Sequence, residues 1–167
     1  MARRAAASAL RRIWGRSDEA LSQLAKIAAL DPPLQRAATI AAQSYAGKRL
    51  WQEAASTLRP GADSVPQGSG LFGYYLGRSG QKAEARRILE SLLERHRAHG
   101  GQAVNLALVH AGLDETGETV TWLERAIADQ MNVPLSEAAY TVAAVVGSLP
   151  GSPRVVALRR ALGLQNR

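Results

Sequence analysis

One set of residue types returns along this chain at a fixed interval, and that interval limits the folds open to it. Phe72, Gly73, Leu76, Gly80, Ala85, Leu89 and Leu92 are matched in order, at one constant offset, by Leu106, Ala107, His110, Asp114, Thr119, Leu123 and Ala126. A small residue followed four later by leucine occurs at Ala20 and Leu24, Ala54 and Leu58, Ala85 and Leu89, and, with threonine as the small residue, Thr119 and Leu123. The offset is the same between every pair of successive copies except the second and third, where it is slightly shorter. Its size is that of a two-helix repeat. Within each copy, apolar residues recur every three or four positions, the period of a helix with one buried face. A helical hairpin of this size cannot bury that face alone, so hairpins stack into an all-α array.

The pattern divides the chain into repeats at about 1–32, 33–66, 67–99 and 100–130, followed by capping helices over 134–163, in a single domain spanning 1–167. An arginine- and alanine-rich helix over 3–14 opens the first repeat, and Ser17 or Asp18 caps a second helix that Pro32 and Pro33 stop. The next helix runs from Pro33 through Tyr45, with Ala37 or Ala38, Ala41, Ala42 and Tyr45 on one side, and is broken by Gly47. A further helix over 50–58 places Ala54 and Leu58 inward. The stretch Arg59–Gly70, rich in Pro, Gly and Ser, is short enough to be an inter-repeat loop. Residues 135–146 make an apolar helix with Ala138, Ala139, Val142, Val145 and Val146 as its buried side. Ser152 caps the last helix, which begins at Pro153 and ends at Gly163.

Composition agrees. Hydrophobic residues make up 46% and aromatics only 5%, so the helices pack through alanine rather than large rings. There is no cysteine, which excludes disulfides, thiol catalysis and cysteine-ligated metals. No apolar run reaches the roughly 18–20 residues that span a bilayer. The expectation is a soluble, cytoplasmic protein.

The net charge of +7 is unevenly placed. Residues 1–16 hold five arginines and no acid, and the chain after Glu137 holds four arginines and no acid. The middle is slightly acidic. Basic ends around such a middle are a weaker nucleic-acid signal than a continuous basic stripe.

These positions resemble the tetratricopeptide repeat family. Phe72, Gly73, Leu76, Ala85, Leu89 and Leu92 fit its pattern, as do Ala41, Ala42, Tyr45, Ala54 and Leu58. The first copy fits only through Ala20, Leu24, Ile27 and Pro32. In the fourth, Thr119 replaces the usual alanine and Asp114 the turn glycine, which predicts looser packing there. Residues 71–93, 107–126 and 149–164 are also similar to the C-terminal repeat regions of large bacterial regulators. The resemblance implies a right-handed superhelix of about four hairpins plus capping helices, a protein-interaction scaffold rather than an enzyme. It implies a concave groove lined by Arg36, Thr39, Gln43, Gly70, Tyr74, Arg78, Asn105 and Leu108, arginine and tyrosine being common interface anchors.

Other motifs are accounted for by packing. Gly68, Gly70 and Gly73 satisfy the spacing of a dinucleotide fingerprint, but no strand precedes them and Pro66 interrupts, so no cofactor is expected. His96 and His99 share a helix end without a third ligand, so no metal is expected. His110 takes the place of Tyr45 and Leu76 and reads as a packed core residue. Glu84, Glu90, Glu94, Glu115, Glu118 and Glu124 interleave with Arg and Lys as a solvated helix surface. No nucleophile–base pair is present, and no catalytic residue is assigned. The expected partner is a protein or peptide. The alternative is a nucleic-acid-associated repeat protein or the sensor part of a transcriptional regulator, using its basic ends. A membrane-surface or transit role for residues 3–14, and self-association through an apolar end at Leu10 or Val155, are further possibilities.

Overall fold

A computed structural model of the chain describes residues 35–61, 68–129 and 139–164. Among these are eight α-helices and no strand: α1 Gln35–Gly47, α2 Trp51–Leu58, α3 Gly68–Arg78, α4 Lys82–His99, α5 Ala103–Gly112, α6 Thr116–Ala128, α7 Ala139–Ser148 and α8 Pro153–Ala161. A short 3-10 turn, Arg59–Gly61, follows α2. The helices expected over 3–14 and 17–30, and the Leu10 end surface, lie outside the described residues. Where the sequence reading has one array, the chain divides into two compact units, Met1–Pro60 and Gly61–Arg167, with the boundary inside the stretch expected as a loop.

The repeat interval is visible in the backbone. Three hairpin turns are built alike. In each, the residue after the turn bonds back to the helix it leaves: Leu50 N–H to Tyr45 C=O, Gln81 to Leu76, and Glu115 to His110, at 2.9–3.0 Å. A second bond closes inside it, from Arg49 to Ala46, Gly80 to Gly77 and Asp114 to Ala111. This nested pair is the Schellman ending of a helix, which needs one residue in the left-handed region. Arg49, Gly80 and Asp114 supply it, with φ of 61°, 87° and 63°. Their spacing is that of the side-chain pattern, shorter step first. Gly47 is therefore not the breaker expected; it is the last residue of α1, and Arg49 makes the reversal. The end of α8 repeats the motif at Gly163, as expected, with φ of 69° and bonds to Arg160 and Arg159.

The second helix of each hairpin buries the small residue and its leucine partner. Ala54 and Leu58, Ala85 and Leu89, and Thr119 and Leu123 are all buried. The looser packing expected at Thr119 is not found. Thr119 is fully enclosed, and its hydroxyl donates to the Glu115 carbonyl at 2.9 Å, so the polar atom is satisfied within the helix. In the first unit α1 packs on α2 through Ala38, Ala41 and Ala42.

In the second unit α3 packs on α4 and α5, α5 also on α4, α6 and α7, and α8 on α6 and α7. Helix α5 is thus surrounded. Every residue from Ala103 to His110 is buried. A helix apolar on all sides is an interior helix, and α5 contains no charged side chain except His110 when protonated.

The α3–α5 contact is closer than side chains ordinarily allow. A Cβ on Gly77 would lie 2.5 Å from the carbonyl carbon and oxygen of Gly112, and one on Gly112 would lie 2.5 Å from the Tyr74 carbonyl oxygen. A Cβ on Gly70 would meet Asn105 Oδ1 at 2.4 Å, and one on Gly73 would meet Val109 Cγ2 at 2.6 Å. Gly70, Gly73 and Gly77 thus form one face on which α5 lies close, backbone to backbone at Gly77 and Gly112 and through Asn105 and Val109 at Gly70 and Gly73. Two of the three glycines that mimic a dinucleotide fingerprint belong to this face. Gly112→Ala should lower unfolding stability by about 1–3 kcal/mol, the usual cost of overpacking. Gly117→Ala, in α6 with nothing within 4 Å of a new Cβ, should instead be neutral or raise it by about 0.5–1 kcal/mol. Urea titration of both variants checks the pair.

Candidate interaction site

Of the positions expected to line a groove, Arg36, Thr39 and Gln43 stand on α1 in the first unit, and Gly70, Tyr74, Arg78, Asn105 and Leu108 on α3 and α5 in the second. The Arg36 side chain lies outside the described residues. Thr39, Gly70, Asn105 and Leu108 are buried. Asn105 sits against Gly70, and its amide donates to Gln102 Oε1 at 2.8 Å. These four shape the interior and present no surface to a partner in this arrangement. Gln43 and Tyr74 are half-buried, and Arg78 is exposed. Those three keep contact with solvent.

Tyr74 and Arg78 share the C-terminal half of α3. The Tyr74 ring lies 5.4 Å from that of Tyr75, tilted by 59°. Burial pushes the Tyr74 phenol above its ordinary value, the Arg78 charge opposing and the Asp114 charge adding. Arg78 Nη1 donates to Asp114 Oδ1 at 2.7 Å, with both side chains well exposed at 37% and 63%. An ion pair that wet contributes about 0–1 kcal/mol. Its consequence is local neutrality: the arginine expected as an anchor arrives with its own counter-ion.

That counter-ion belongs to a turn gripped from several sides. Asp114 takes the left-handed position of the α5–α6 turn, and Arg78 reaches it from the preceding hairpin. The next residue, Glu115, accepts from Arg86 Nη2 of α4 at 3.0 Å and lies 2.6 Å from His110 Nδ1 of α5. Burial alone works to raise the Glu115 carboxyl. The hydrogen bond to His110 and the charges of His110 and Arg86 outweigh it, and the carboxyl falls below the ordinary range. His110 is buried, as expected for a core position, but it is also one arm of this polar joint.

The sequence reading places Glu115 and Glu124 on a solvated surface of pairs within a helix. Both instead join different helices. Glu124 of α6 takes Arg154 of α8 in a two-pronged contact at 2.7 and 3.0 Å, with Thr121 accepting a third bond. The hydrogen bond from Arg154 holds the Glu124 carboxyl low. These cross-hairpin partners are separated in sequence by close to one repeat. The available signal was opposite charge at about the repeat interval, which an inspection for neighbours three or four apart overlooks.

At the basic C-terminal end Arg159 is likewise engaged. Arg159 donates to the carbonyls of Val146, Gly147 and Leu149 at 3.0–3.3 Å, closing the C-terminus of α7. Val155 is buried, so the exposed apolar residue there is its neighbour Val156. The His96 ring meets Trp122 edge-on at 5.1 Å, and its Nδ1 accepts from the Gln102 N–H at 3.4 Å. Among the described residues no three His, Cys, Asp or Glu side chains gather as metal ligands, and no helix is long and apolar enough to cross a membrane.

Comparison with protein-family models, with curated proteins and with solved structures finds no match to this chain.

Because the folded Glu115 carboxyl lies below its unfolded value of about 4.3, its contribution is complete above that value and is lost as pH falls through the folded one. Glu115→Gln should therefore lower stability at neutral pH and flatten the acid side of the stability–pH profile relative to wild type. Thermal unfolding between about pH 3 and pH 7 checks both.

Proposed function

We propose that this chain is a non-enzymatic protein-interaction scaffold of tetratricopeptide-like hairpins, offering first-helix surfaces to a peptide or partner domain. The carrying observation is the like hairpin turn at Arg49, Gly80 and Asp114, recurring at the interval of the side-chain repeat. An array of like hairpins places corresponding first-helix residues in register, which is how repeat proteins form extended binding surfaces.

The surface in this reading is narrower than the full set of groove positions. In the second unit Tyr74 and Arg78 carry it, because Asn105 and Leu108 are interior; of the positions in the first unit, Gln43 keeps contact with solvent and Thr39 is interior. Tyr74 supplies a half-desolvated ring of the kind that anchors interfaces, and the Arg78–Asp114 pair offers a donor and an acceptor side by side. Nucleic-acid binding is less favoured. Arg154 and Arg159 are both engaged inside the second unit and make poor phosphate clamps.

Affinity capture from the native host, comparing wild type with the double variant Tyr74→Ala, Arg78→Ala, tests the proposal after circular dichroism shows equal helicity. The expected outcome is a protein partner whose recovery falls about tenfold with the variant, as for loss of an interface anchor. Recovery of nucleic acid in place of protein, or equal recovery by both forms, would contradict it.

A further inference from the structure

The second unit turns two kinds of outer surface to solvent. The exposed sides of α4 and α6 are charged, through Lys82, Arg87 and Glu90 on the first and Glu118 and Arg125 on the second. The exposed sides of α7 and α8 are not. Helix α7 has no charged residue at all. The two large hydrophobic side chains that the second unit leaves exposed among the described residues, Tyr140 at 47% and Val156 at 50%, stand on these two helices. Ala144 is exposed one turn after Tyr140, and Ala157 and Ala161 are exposed beside Val156.

The arginines of α8 do not offset this. Val155 and Leu158 take its inner side, which leaves Val156, Ala157, Arg160 and Ala161 together on the outer one. Arg154 is held by Glu124 and Thr121 of α6, and Arg159 by the carbonyls that end α7. Arg160 alone stands on the outer face, four residues after Val156, and among the described residues its side chain makes no ion pair. The chain after Glu137 holds no acid to give it one. Single exposed apolar side chains are ordinary on a protein surface. Here two helices in contact carry them, with a tyrosine, an arginine and little other charge, which is the composition of an interface centre rather than of a solvated helix.

Charge decides what fits. A second copy meeting this face with its own α8 would bring another Arg160 and no acid, so like charges would face each other. An anionic lipid surface would satisfy Arg160, but the outer face of α8 offers valine and alanine where helices that lie in the bilayer interface carry Trp, Phe or Leu. Small side chains instead allow a second helix to come close, as Ala38, Ala41 and Ala42 do where α1 packs on α2.

We propose that the outer face of α8 is a docking surface for a helix of another protein, one that lays aliphatic residues on Val156, Ala157 and Ala161 and brings an Asp or Glu to Arg160. This surface lies on a different helix from that of Tyr74 and Arg78 and goes beyond it.

A photo-crosslinking residue, p-benzoylphenylalanine, placed at position 157 of the full chain and irradiated in the native host tests the proposal, with the adduct mapped by mass spectrometry. The expected adduct is on a helical segment of another protein that has Asp or Glu within four residues of the crosslinked position. Adding Arg160→Glu should lower its yield about tenfold, and exchanging the partner's acid for Lys should restore it. Circular dichroism first shows that the charge-reversed chain is folded; should it not be, Arg160→Gln takes its place under the same criteria. No adduct, an adduct with a second copy or with lipid, a crosslinked segment without a nearby acid, or a yield indifferent to Arg160 would each overturn the proposal. Persistence of this adduct when capture through Tyr74 and Arg78 fails, or the reverse, tells the two readings apart.

Discussion

The second unit depends on a contact with no side chain in it. Gly77 and Gly112 meet backbone to backbone, with Gly70 and Gly73 continuing the contact along the same face of α3. Where Gly77 meets Gly112 the main chains themselves gain dispersion contacts, and at Gly73 and Gly70 the missing Cβ makes room for Val109 and Asn105. The glycines carry an entropic cost of about 0.5–1 kcal/mol each in a helix interior. Burial of Leu71, Tyr75, Leu76, Leu106 and Val109 around the contact offsets it. Because α5 is drawn so near α3, it becomes the interior helix of its unit, and α4, α6 and α7 can all reach it.

Much of this was legible in the sequence. Helix class, hairpin order and the buried second-helix pairs follow from two periods, that of the helix turn and that of the hairpin, which depend on local geometry alone. The Ser152 cap and the Gly163 ending of α8 were equally readable, since each is a short-range hydrogen-bond requirement. The turn at Arg49 was not, because the left-handed residue there is an arginine and the nearby Gly47 attracts the assignment. Backbone geometry is imposed at Arg49 by the turn as a whole and not by its side chain.

The candidate site was legible only in part, and α5 shows why. Family resemblance places Asn105 and Leu108 on a groove, yet AVNLALVHAG is apolar around its whole circumference, the mark of a helix enclosed on all sides. Both residues are interior because the whole circumference of α5 is enclosed. The polar joint of Arg86, His110 and Glu115 depends on distances between helices, which no single-helix pattern encodes. Tyr74 keeps part of its side chain in solvent although its backbone lies in the glycine contact, against Gly112, and Arg78 is exposed.

Nuclear Overhauser spectroscopy of the isotope-labelled chain shows whether α3 and α5 touch through their glycines. Strong cross-peaks are expected between the Hα protons of Gly77 and Gly112, and between Gly73 Hα and the Val109 methyl groups. Helix-internal cross-peaks in α3 and α5 without these inter-helix ones would show two helices held apart, and would contradict the glycine contact.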